Sequence, residues 1–326
     1  MSHTSVLRTT TSPSASPSTP RVRLGLVCIN NTLREQGVYC NRTCIRRTYS
    51  VEKAKQLATA NLEDLFKVLQ WNQAHNIRHY RLSSDMFPHF TDDAIERYDY
   101  TLDMKVALRM AGGFAKAHNH RITMHPGQYN VVGTPNKAAF ERTVDDLTHH
   151  AYILDMMGIG PEGILCVHGG GVYGDKEAAT RRWIEQFDDL PSSVKRRIAI
   201  ENCEHSYNVE DCLTIAEACK IPVIYDTHHH KCWCQTHSIE DSPDMTECMP
   251  RILETWDRHG CSPLFHISDQ AEGKQLGAHH DYVSEIPQEL LSIPAEYDRN
   301  VDIEVEAKAK EAAIFRLYKQ HPEVFA

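Results

Sequence analysis

The sequence lacks the features that would place the protein in a membrane or in an oxidising compartment. No apolar stretch approaches the ~18 residues that a membrane-spanning helix needs, so we expect a soluble protein. There is no secretory hydrophobic region, and the 11 cysteines are an odd number in a long chain, which favours reduced thiols inside a cell. We expect the nucleus, with the mitochondrion as the alternative, for a eukaryotic source, and the cytoplasm for a bacterial one.

An excess of positive charge is also missing. The chain has 35 basic and 44 acidic residues and a formal net charge of −9, which argues against a protein that coats nucleic acid by bulk electrostatics. The charge does not exclude a nuclease, because bound cations reverse the charge of a carboxylate-rich site locally. The 20 histidines are numerous for 326 residues, and their clustering indicates a functional use.

Residues 1–20 are rich in serine, threonine and proline, and no acidic residue occurs before Glu35. Such a segment buries too little apolar surface to offset the entropy of ordering, so we predict a disordered tail. Its acid-poor, serine-rich character leaves an organelle-targeting peptide as the alternative. We predict that residues 21–326 form a single domain.

The main signal is a set of six short apolar runs, each of which ends on a histidine or a carboxylate. The six terminal residues are His125, His168, Glu201, Asp226, His266 and Glu306. Successive ends lie 25 to 43 residues apart, which matches one strand plus a returning helix, since a parallel crossover alone needs about a dozen residues. Two further strand-like runs, Leu24–Ile29 and Ile77–Leu82, precede the six.

Helical periodicity falls between these runs. The predicted helices are 51–75, 95–119, 137–157, 176–187, 209–219, 245–259 and 307–320. Eight strands that alternate with helices predict a (β/α)₈ TIM barrel, in which the C-terminal ends of the strands share one face. A lone histidine at a strand end is usually structural, but six such ligands on one rim favour a polynuclear metal site.

The ligand types indicate the metal chemistry. Mixed histidine, aspartate and glutamate ligands suit Zn²⁺, Mn²⁺ or Fe²⁺, and Glu201 can bridge two cations with its two oxygens. His229 follows Asp226 at a spacing that fits one turn of helix or a tight loop. The cysteine pairs 40/44 and 232/234 are rival zinc ligands, although their spacings are poor for a zinc finger.

Basic and polar residues near the predicted rim suggest a nucleic-acid partner. Arg42, Arg46 and Arg47 lie in the loop after the first strand, with tyrosines alongside for stacking, although an ordinary solvated loop is the alternative. Gln128 and Tyr129 follow the Pro-Gly turn after His125, so we expect them to point over the rim. Two or three cations a few ångströms apart can clamp a phosphodiester and activate water.

Several ordered motifs resemble those of the UV damage endonucleases, the UvdE family, from about Arg23 to the C-terminal helix. The motifs are Arg23-Leu-Gly-Leu-Val-Cys-Ile-Asn30, Thr32-Leu-Arg34, Cys40-Asn-Arg-Thr-Cys44, Tyr80-Arg-Leu-Ser-Ser-Asp-Met-Phe-Pro88, Met124-His-Pro-Gly-Gln-Tyr129, Glu201-Asn202, Asp226-x-x-His229 and Val305-Glu-Ala-Lys-Ala-Lys-Glu311. The resemblance implies a TIM barrel related to endonuclease IV that acts on damaged double-stranded DNA. It implies incision immediately 5′ of a UV photoproduct, which leaves a 3′-hydroxyl.

The resemblance also implies a ligand set. The metal ligands would be His125, His168, Glu201, Asp226, His229, His266, His279 and Glu306. They would hold two or three divalent ions, typically Mn²⁺, with Zn²⁺ or Mg²⁺ as alternatives, and Glu201, His229 and Glu306 would be catalytic. Gln128 and Tyr129 would wedge into the duplex beside the lesion. We expect Asn30 and the three loop arginines to contact the substrate, and we expect a monomer.

The chain departs from the family pattern at two positions. Leu26 stands where the family has a tyrosine that joins Gln128 and Tyr129 in wedging into the duplex. Leu264 stands where the family has a lysine that is carboxylated. In addition, a histidine that some members carry has no clear match here, although His89 lies close to its place. Three alternatives stay open. The first is an endonuclease of the same barrel class for abasic sites or other lesions. The second is a divalent-metal sugar isomerase, which should have a lysine at a strand end. The third is an inactive damage-binding module, which should lack a ligand.

Overall fold

Eight parallel strands form a closed barrel in chain order, and the first strand pairs with the last. The computed structural model describes residues 21–239 and 245–325, so the predicted tail lies outside the described residues. The strands are β1 Val22–Val27, β2 His79–Leu82, β3 Arg121–Met124, β4 Leu165–His168, β5 Ile198–Glu201, β6 Val223–Asp226, β7 Leu264–Ile267 and β8 Val301–Val305. The predicted TIM barrel is confirmed.

Helices connect the strands and surround the barrel. They are α1 Asn31–Glu35, α2 Val51–Ala74, α3 Leu102–Ala117, α4 Lys137–Met156, α5 Lys176–Phe187, α6 Ser192–Lys195, α7 Val209–Cys219, α8 Thr227–Thr236, α9 Met245–His259, α10 Gln288–Leu291, α11 Ile293–Glu296, α12 Glu311–Gln320 and α13 Pro322–Phe325, with 3₁₀ turns at Arg46–Thr48 and Ser84–Met86. In the described part of the chain, none of these helices has the length and apolarity that a bilayer crossing requires.

Three helix boundaries depend on features that periodicity does not reveal. The helix predicted from residue 95 begins at Leu102, because Tyr98 is buried and the side chain of Thr101 caps the first turn. The helix predicted from residue 307 begins at Glu311, because Lys310 has a φ of 53°, which an α-helix does not tolerate. The sequence left either a turn of helix or a tight loop for the segment after β6. The structure has a helix there, and Asp226 at the end of the strand caps it.

The interior of the barrel is polar along β8. Period-two alternation directs Asp302, Glu304 and Glu306 inward, and all three are nearly fully buried. Asp302 accepts hydrogen bonds from Arg23 and Arg121 at 2.5 and 2.7 Å, near the N-terminal end of the barrel. Each buried carboxylate therefore needs a cationic partner in its own layer, since an unpaired charge is costly to bury.

Candidate metal centre

Glu201 lies at the centre of four imidazoles. Its Oε1 atom is 3.0 Å from Nδ1 of His266 and 3.2 Å from Nδ1 of His229. Its Oε2 atom is 3.0 Å from Nε2 of His125 and 3.2 Å from Nε2 of His168. The glutamate ends β5, and the histidines come from β4, β7, α8 and the end of β3. The two oxygens therefore face two separate pairs of nitrogen donors.

Asp226 is fixed beside this cluster by the backbone. The side chain of Asn202 donates to the carbonyl of Asp226 and accepts from its N–H, both at 2.9 Å, which ties β5 to β6 at the rim. Oδ1 of Asp226 accepts the N–H of His229 at 2.7 Å as the cap of α8. This cap brings the imidazole of His229 back over the rim, with Nδ1 3.6 Å from Oδ2 of Asp226.

Glu306 extends the cluster towards β8. Its Oε1 atom lies 3.4 Å from Nδ1 of His266, and its Oε2 atom lies 3.6 Å from Nδ1 of His279. His279 sits in the loop after β7, where it pairs with Gln270 as an isolated antiparallel bridge. The structure thus brings all eight predicted ligands into one connected group at the C-terminal rim.

The next layer inward was not predicted as part of the site. Arg81 of β2 donates to Glu306, and it also donates to Glu304 at 3.0 Å. Glu304 further accepts from Thr123 at 2.6 Å and lies 3.0 Å from Nε2 of His79. The thiol of Cys166 donates to Oε2 of Glu201 at 2.9 Å. The sequence does contain a signal for part of this layer. Polar residues two positions before a predicted strand end face the same side as the end residue, because alternate residues of a strand share a face.

The carboxylates and imidazoles shift one another strongly. Burial alone would lower the pKa of His168, but the adjacent carboxylate of Glu201 raises it to about 10. Burial likewise opposes the charge of His266, yet Glu201 and Glu304 hold its pKa well above the usual range. Burial would raise the pKa of Glu306, but the guanidinium of Arg81 lowers it to about 2. Without a bound cation, protonated imidazoles neutralise the buried carboxylates.

The donor set fits divalent metal ions. Four groups of three residues have donor atoms within 4.8 Å of one another in the described ranges, and Glu201 belongs to three of them. The groups are His125 with Cys166 and Glu201, His168 with Glu201 and His229, Glu201 with Asp226 and His266, and His266 with Glu304 and Glu306. Oδ2 of Asp226 is buried without a hydrogen-bond partner among the residues that the structure describes. A buried carboxylate oxygen beside a second carboxylate needs a positive charge nearby, which a bound cation or the protonated imidazole of His229 can supply. Neither cysteine pair belongs to such a group of three donors within the described ranges.

Gln128 and Tyr129 are exposed beyond the end of β3. The side chain of Tyr129 is 70% exposed, and its ring lies over Gly127, where a Cβ atom would come within 2.4 Å of it. Glycine at this position therefore allows the ring to lie against the turn. Tyr129 also borders a cleft of about 490 Å³ that Phe87, Phe90 and other residues of the neighbouring loops line.

The predicted substrate residues of the first loop differ in what they contact. Arg42 donates to Asp64 at 2.6 Å and to three backbone carbonyls, and its guanidinium lies 4.0 Å from the ring centre of Tyr39. These contacts tie the guanidinium to the loop and to α2. Arg46 is exposed but pairs with Asp92 at 2.8 Å. Arg47 is exposed. Asn30 is buried, and its side chain caps α1 through the N–H of Leu33.

The two departures from the family pattern are both buried. Leu26 is fully buried in the core, and Leu264 is 1% exposed on β7. Leu264 lies two residues before His266 on the same strand, so it faces the barrel interior beneath the cluster. His89 is half-buried, and its Nε2 atom lies 2.5 Å from the carbonyl of Cys44 in the first loop.

The chain is similar to known proteins in sequence and in fold. The family model of UV-endonuclease UvdE matches residues 22–325. The UV-damage endonuclease of Schizosaccharomyces pombe is 35% identical over 92% of the chain, which spans about half (51%) of that relative. The UV DNA damage endonuclease of Bacillus cereus (strain B4264) is 33% identical over 82% of both chains. The crystal structure of SacUVDE is 29% identical with a TM-score of 0.80 and covers 93% of this chain and 99% of its own.

Proposed function

Because the chain belongs to the UV-endonuclease UvdE family, we propose that it is a DNA repair endonuclease that nicks the backbone immediately 5′ of UV photoproducts. Its substrates are cyclobutane dimers and 6-4 photoproducts in double-stranded DNA, and each incision leaves a 3′-hydroxyl. The observation that carries the proposal is the position of Glu201, whose two oxygens each face a pair of histidines. A carboxylate in this position suits adjacent cations that share one phosphodiester.

The centre would hold two or three divalent ions, Mn²⁺ first, with Zn²⁺ or Mg²⁺ as alternatives. The ligands are His125, His168, Glu201, Asp226, His229, His266, His279 and Glu306. When bound, the ions supply Lewis acidity to the phosphodiester and lower the pKa of the attacking water. Glu201 would bind cations through its two oxygens, and Glu306 and His229 would complete the catalytic set beside it. Arg81 keeps Glu306 ionised, so that this carboxylate is ready to bind a cation.

Residues at the rim position the duplex. Tyr129 and Gln128 insert beside the lesion, since both are exposed just past the end of β3 and an aromatic face stacks on any base. Arg47 and Arg46 contact phosphates of the DNA backbone. For this contact, Arg46 leaves its ion pair with Asp92 and pairs with a phosphate. Arg42 acts by shaping the loop, because its guanidinium is held by Asp64. The buried amide of Asn30 serves the same loop through the start of α1.

The partner is damaged double-stranded DNA, and the protein acts as a monomer. The site of action is the nucleus or the mitochondrion of a eukaryotic cell, or the cytoplasm of a bacterial one. A second candidate substrate is an abasic site, because Leu26 is fully buried where the family places a wedge tyrosine. Fewer aromatic contacts at the lesion would favour a damage site that has already lost its base.

One assay tests the proposal. Metal-free protein receives Mn²⁺ and duplexes that carry a cyclobutane dimer, a 6-4 photoproduct or an abasic site, and the nick is mapped by the mobility and end chemistry of the labelled strand. We expect a 3′-hydroxyl nick directly 5′ of the dimer, and none with the undamaged duplex. Incision of the abasic duplex alone would select the second candidate. Failure to cut any duplex while Mn²⁺ binds would overturn both.

A further inference from the structure

We propose that the thiolate of Cys166 is an additional donor to the cation that His125, His168 and Glu201 hold. This inference deepens the proposed metal centre and rests on it. The resulting position has two imidazole nitrogens, one carboxylate oxygen and one sulfur. Sulfur is a soft donor, so this position binds Zn²⁺ or Co²⁺ in preference to Mn²⁺ or Mg²⁺.

Cys166 reaches the centre because it shares a face of β4 with His168. The two residues are two positions apart, so both side chains point into the barrel. In the register between β4 and β5, Cys166 lies opposite Ala199, and His168 lies opposite Glu201. The small side chain of Ala199 leaves space in this layer, and the thiol reaches diagonally up to the carboxylate of Glu201.

Three of the four donors, Cys166, His125 and Glu201, have ligand atoms within 4.8 Å of one another. Oε2 of Glu201 is 2.9 Å from Sγ of Cys166, 3.0 Å from Nε2 of His125 and 3.2 Å from Nε2 of His168. The two imidazole nitrogens are 3.3 Å apart. The ligands of a tetrahedral zinc ion lie roughly 3.3 to 3.8 Å apart, given bonds of about 2.0 to 2.3 Å. The four distances fall at or just below this range, so a small shift of Oε2 away from the sulfur and the two nitrogens would bring them into it.

The donors also match the chemistry of ion binding. Cys166 is 2% exposed, and its thiol faces a carboxylate that the histidines already surround. When a cation enters, the S–H bond breaks, a sulfur–metal bond forms and the proton passes to solvent, so charge and atoms balance. The nearby thiol of Cys203 is occupied differently, because its sulfur accepts the backbone N–H groups of Ser206 and Tyr207 at 3.3 and 3.2 Å.

Cobalt spectroscopy tests the assignment on the full chain. Metal-free protein is titrated with Co²⁺, which gives visible d–d bands when it binds and a near-ultraviolet charge-transfer band when sulfur is a ligand. We expect both bands in the wild type. Cys166→Ala should keep the d–d bands, lose at least four-fifths of the charge-transfer band and reduce the Zn²⁺-over-Mn²⁺ affinity ratio at least tenfold. Cys166→Val gives a second measurement with a side chain of similar volume.

The matched control is Cys248→Ala. Cys248 is also buried, and its thiol donates to a carboxylate, Glu210, at 3.3 Å, but it lies on α9, away from the centre. This variant should keep both bands. The proposal is overturned if the wild type shows d–d bands without charge transfer, or if the charge transfer persists in both Cys166 variants. The first result leaves the proposed centre intact, whereas a wild type that binds no Co²⁺ contradicts the centre itself.

Discussion

The Nδ1 atom of His266 lies 3.0 Å from Oε1 of Glu201, and both side chains are almost completely buried. Burial disfavours both charges, but His266 and His168 hold the pKa of Glu201 well below its usual range. The pair is therefore an ion pair in the metal-free protein. In the proposed centre, divalent cations would take the place of the imidazole protons, and the glutamate would keep its charge in both states.

The charge of Glu201 is the first quantity to test. Glu201→Gln keeps the volume of the side chain but removes the charge that faces four imidazoles. We expect incision to fall by on the order of 10³-fold, because lost electrostatic stabilisation in a dry site has this magnitude. Bound metal, measured by elemental analysis after dialysis, should fall by at least one ion per chain. Glu162→Gln, at the opposite end of the barrel, is the control and should change neither quantity.

Tyr129 separates substrate contact from metal binding. Tyr129→Ala removes a ring that is 70% exposed, so we expect metal content to stay the same. Incision should fall by about 10- to 100-fold, since stacking on a base contributes about 1 to 3 kcal/mol. Nicking kinetics and metal analysis on the same preparation provide the measurement. Tyr152→Ala, on the outer face of α4, serves as the control, and a loss of metal from the Tyr129 variant would contradict the assignment.

Substitution of Arg81 tests how much its ion pairs with two buried carboxylates contribute to the free energy of unfolding. Arg81→Met leaves Glu304 and Glu306 without the guanidinium that both contact. We expect the free energy of unfolding of the metal-free protein to drop by about 3 to 5 kcal/mol, the usual cost of removing one partner from a buried ion pair. Urea titrations with and without Mn²⁺ measure this drop, and the metal should restore part of it.

The matched control for Arg81 is an exposed pair. Arg46→Met breaks the ion pair with Asp92, where the arginine side chain is 64% exposed, and it should cost less than about 1 kcal/mol. Equal losses for the two arginine variants would mean that the interior of the barrel admits water freely. That result would contradict the burial on which the pairing of Glu304 and Glu306 rests.

His120 gives the protein a pH dependence that is independent of the metal centre. Burial, with help from Arg78, lowers the pKa of His120 to about 4, and its Nε2 atom lies 3.0 Å from Oε1 of Gln73. The unfolded chain, with a pKa of about 6.5, binds the proton first. Stability is therefore complete above pH ~6.5 and falls as the pH drops towards ~4, by on the order of 2 to 3 kcal/mol.

Chemical denaturation between these pH values measures the slope. His120→Gln should be less stable at neutral pH but should lose less stability on acidification, because glutamine does not titrate. His75→Gln is the control, since His75 is exposed at the end of α2. A slope in His120→Gln as steep as in the wild type would assign the acid sensitivity to other groups.

The sequence was informative where strand pattern and ligand chemistry coincide. His125, His168 and Glu201 each follow an apolar run, so their convergence follows from parallel strands alone. The pairing of Arg46 with Asp92 joins residues 46 positions apart, and no local pattern specifies it. The start of α3 was missed because Tyr98 is buried in an extended segment whose composition also suits a helix.

The contacts of Cys166 and Glu304 could be predicted from the sequence only in part. Both were visible as polar or reactive residues two positions before a predicted strand end, which is the spacing of side chains on one face of a strand. Whether Cys166 and Glu304 contact the predicted ligands depends on how far below the rim they lie and on which strands face them across the barrel. Those distances come from the closure of the barrel, which a linear sequence does not encode locally.

Closure of the barrel requires its eighth strand. β1 and β8 pair from Val22 with Val301 to Leu26 with Val305 and are joined by Arg23 and Asp302. Until the ribosome releases β8, a nascent chain carries most of the ligands but lacks Glu304 and Glu306. The cluster of predicted ligands can therefore be completed only after β8 and the adjacent Glu306 have been synthesised.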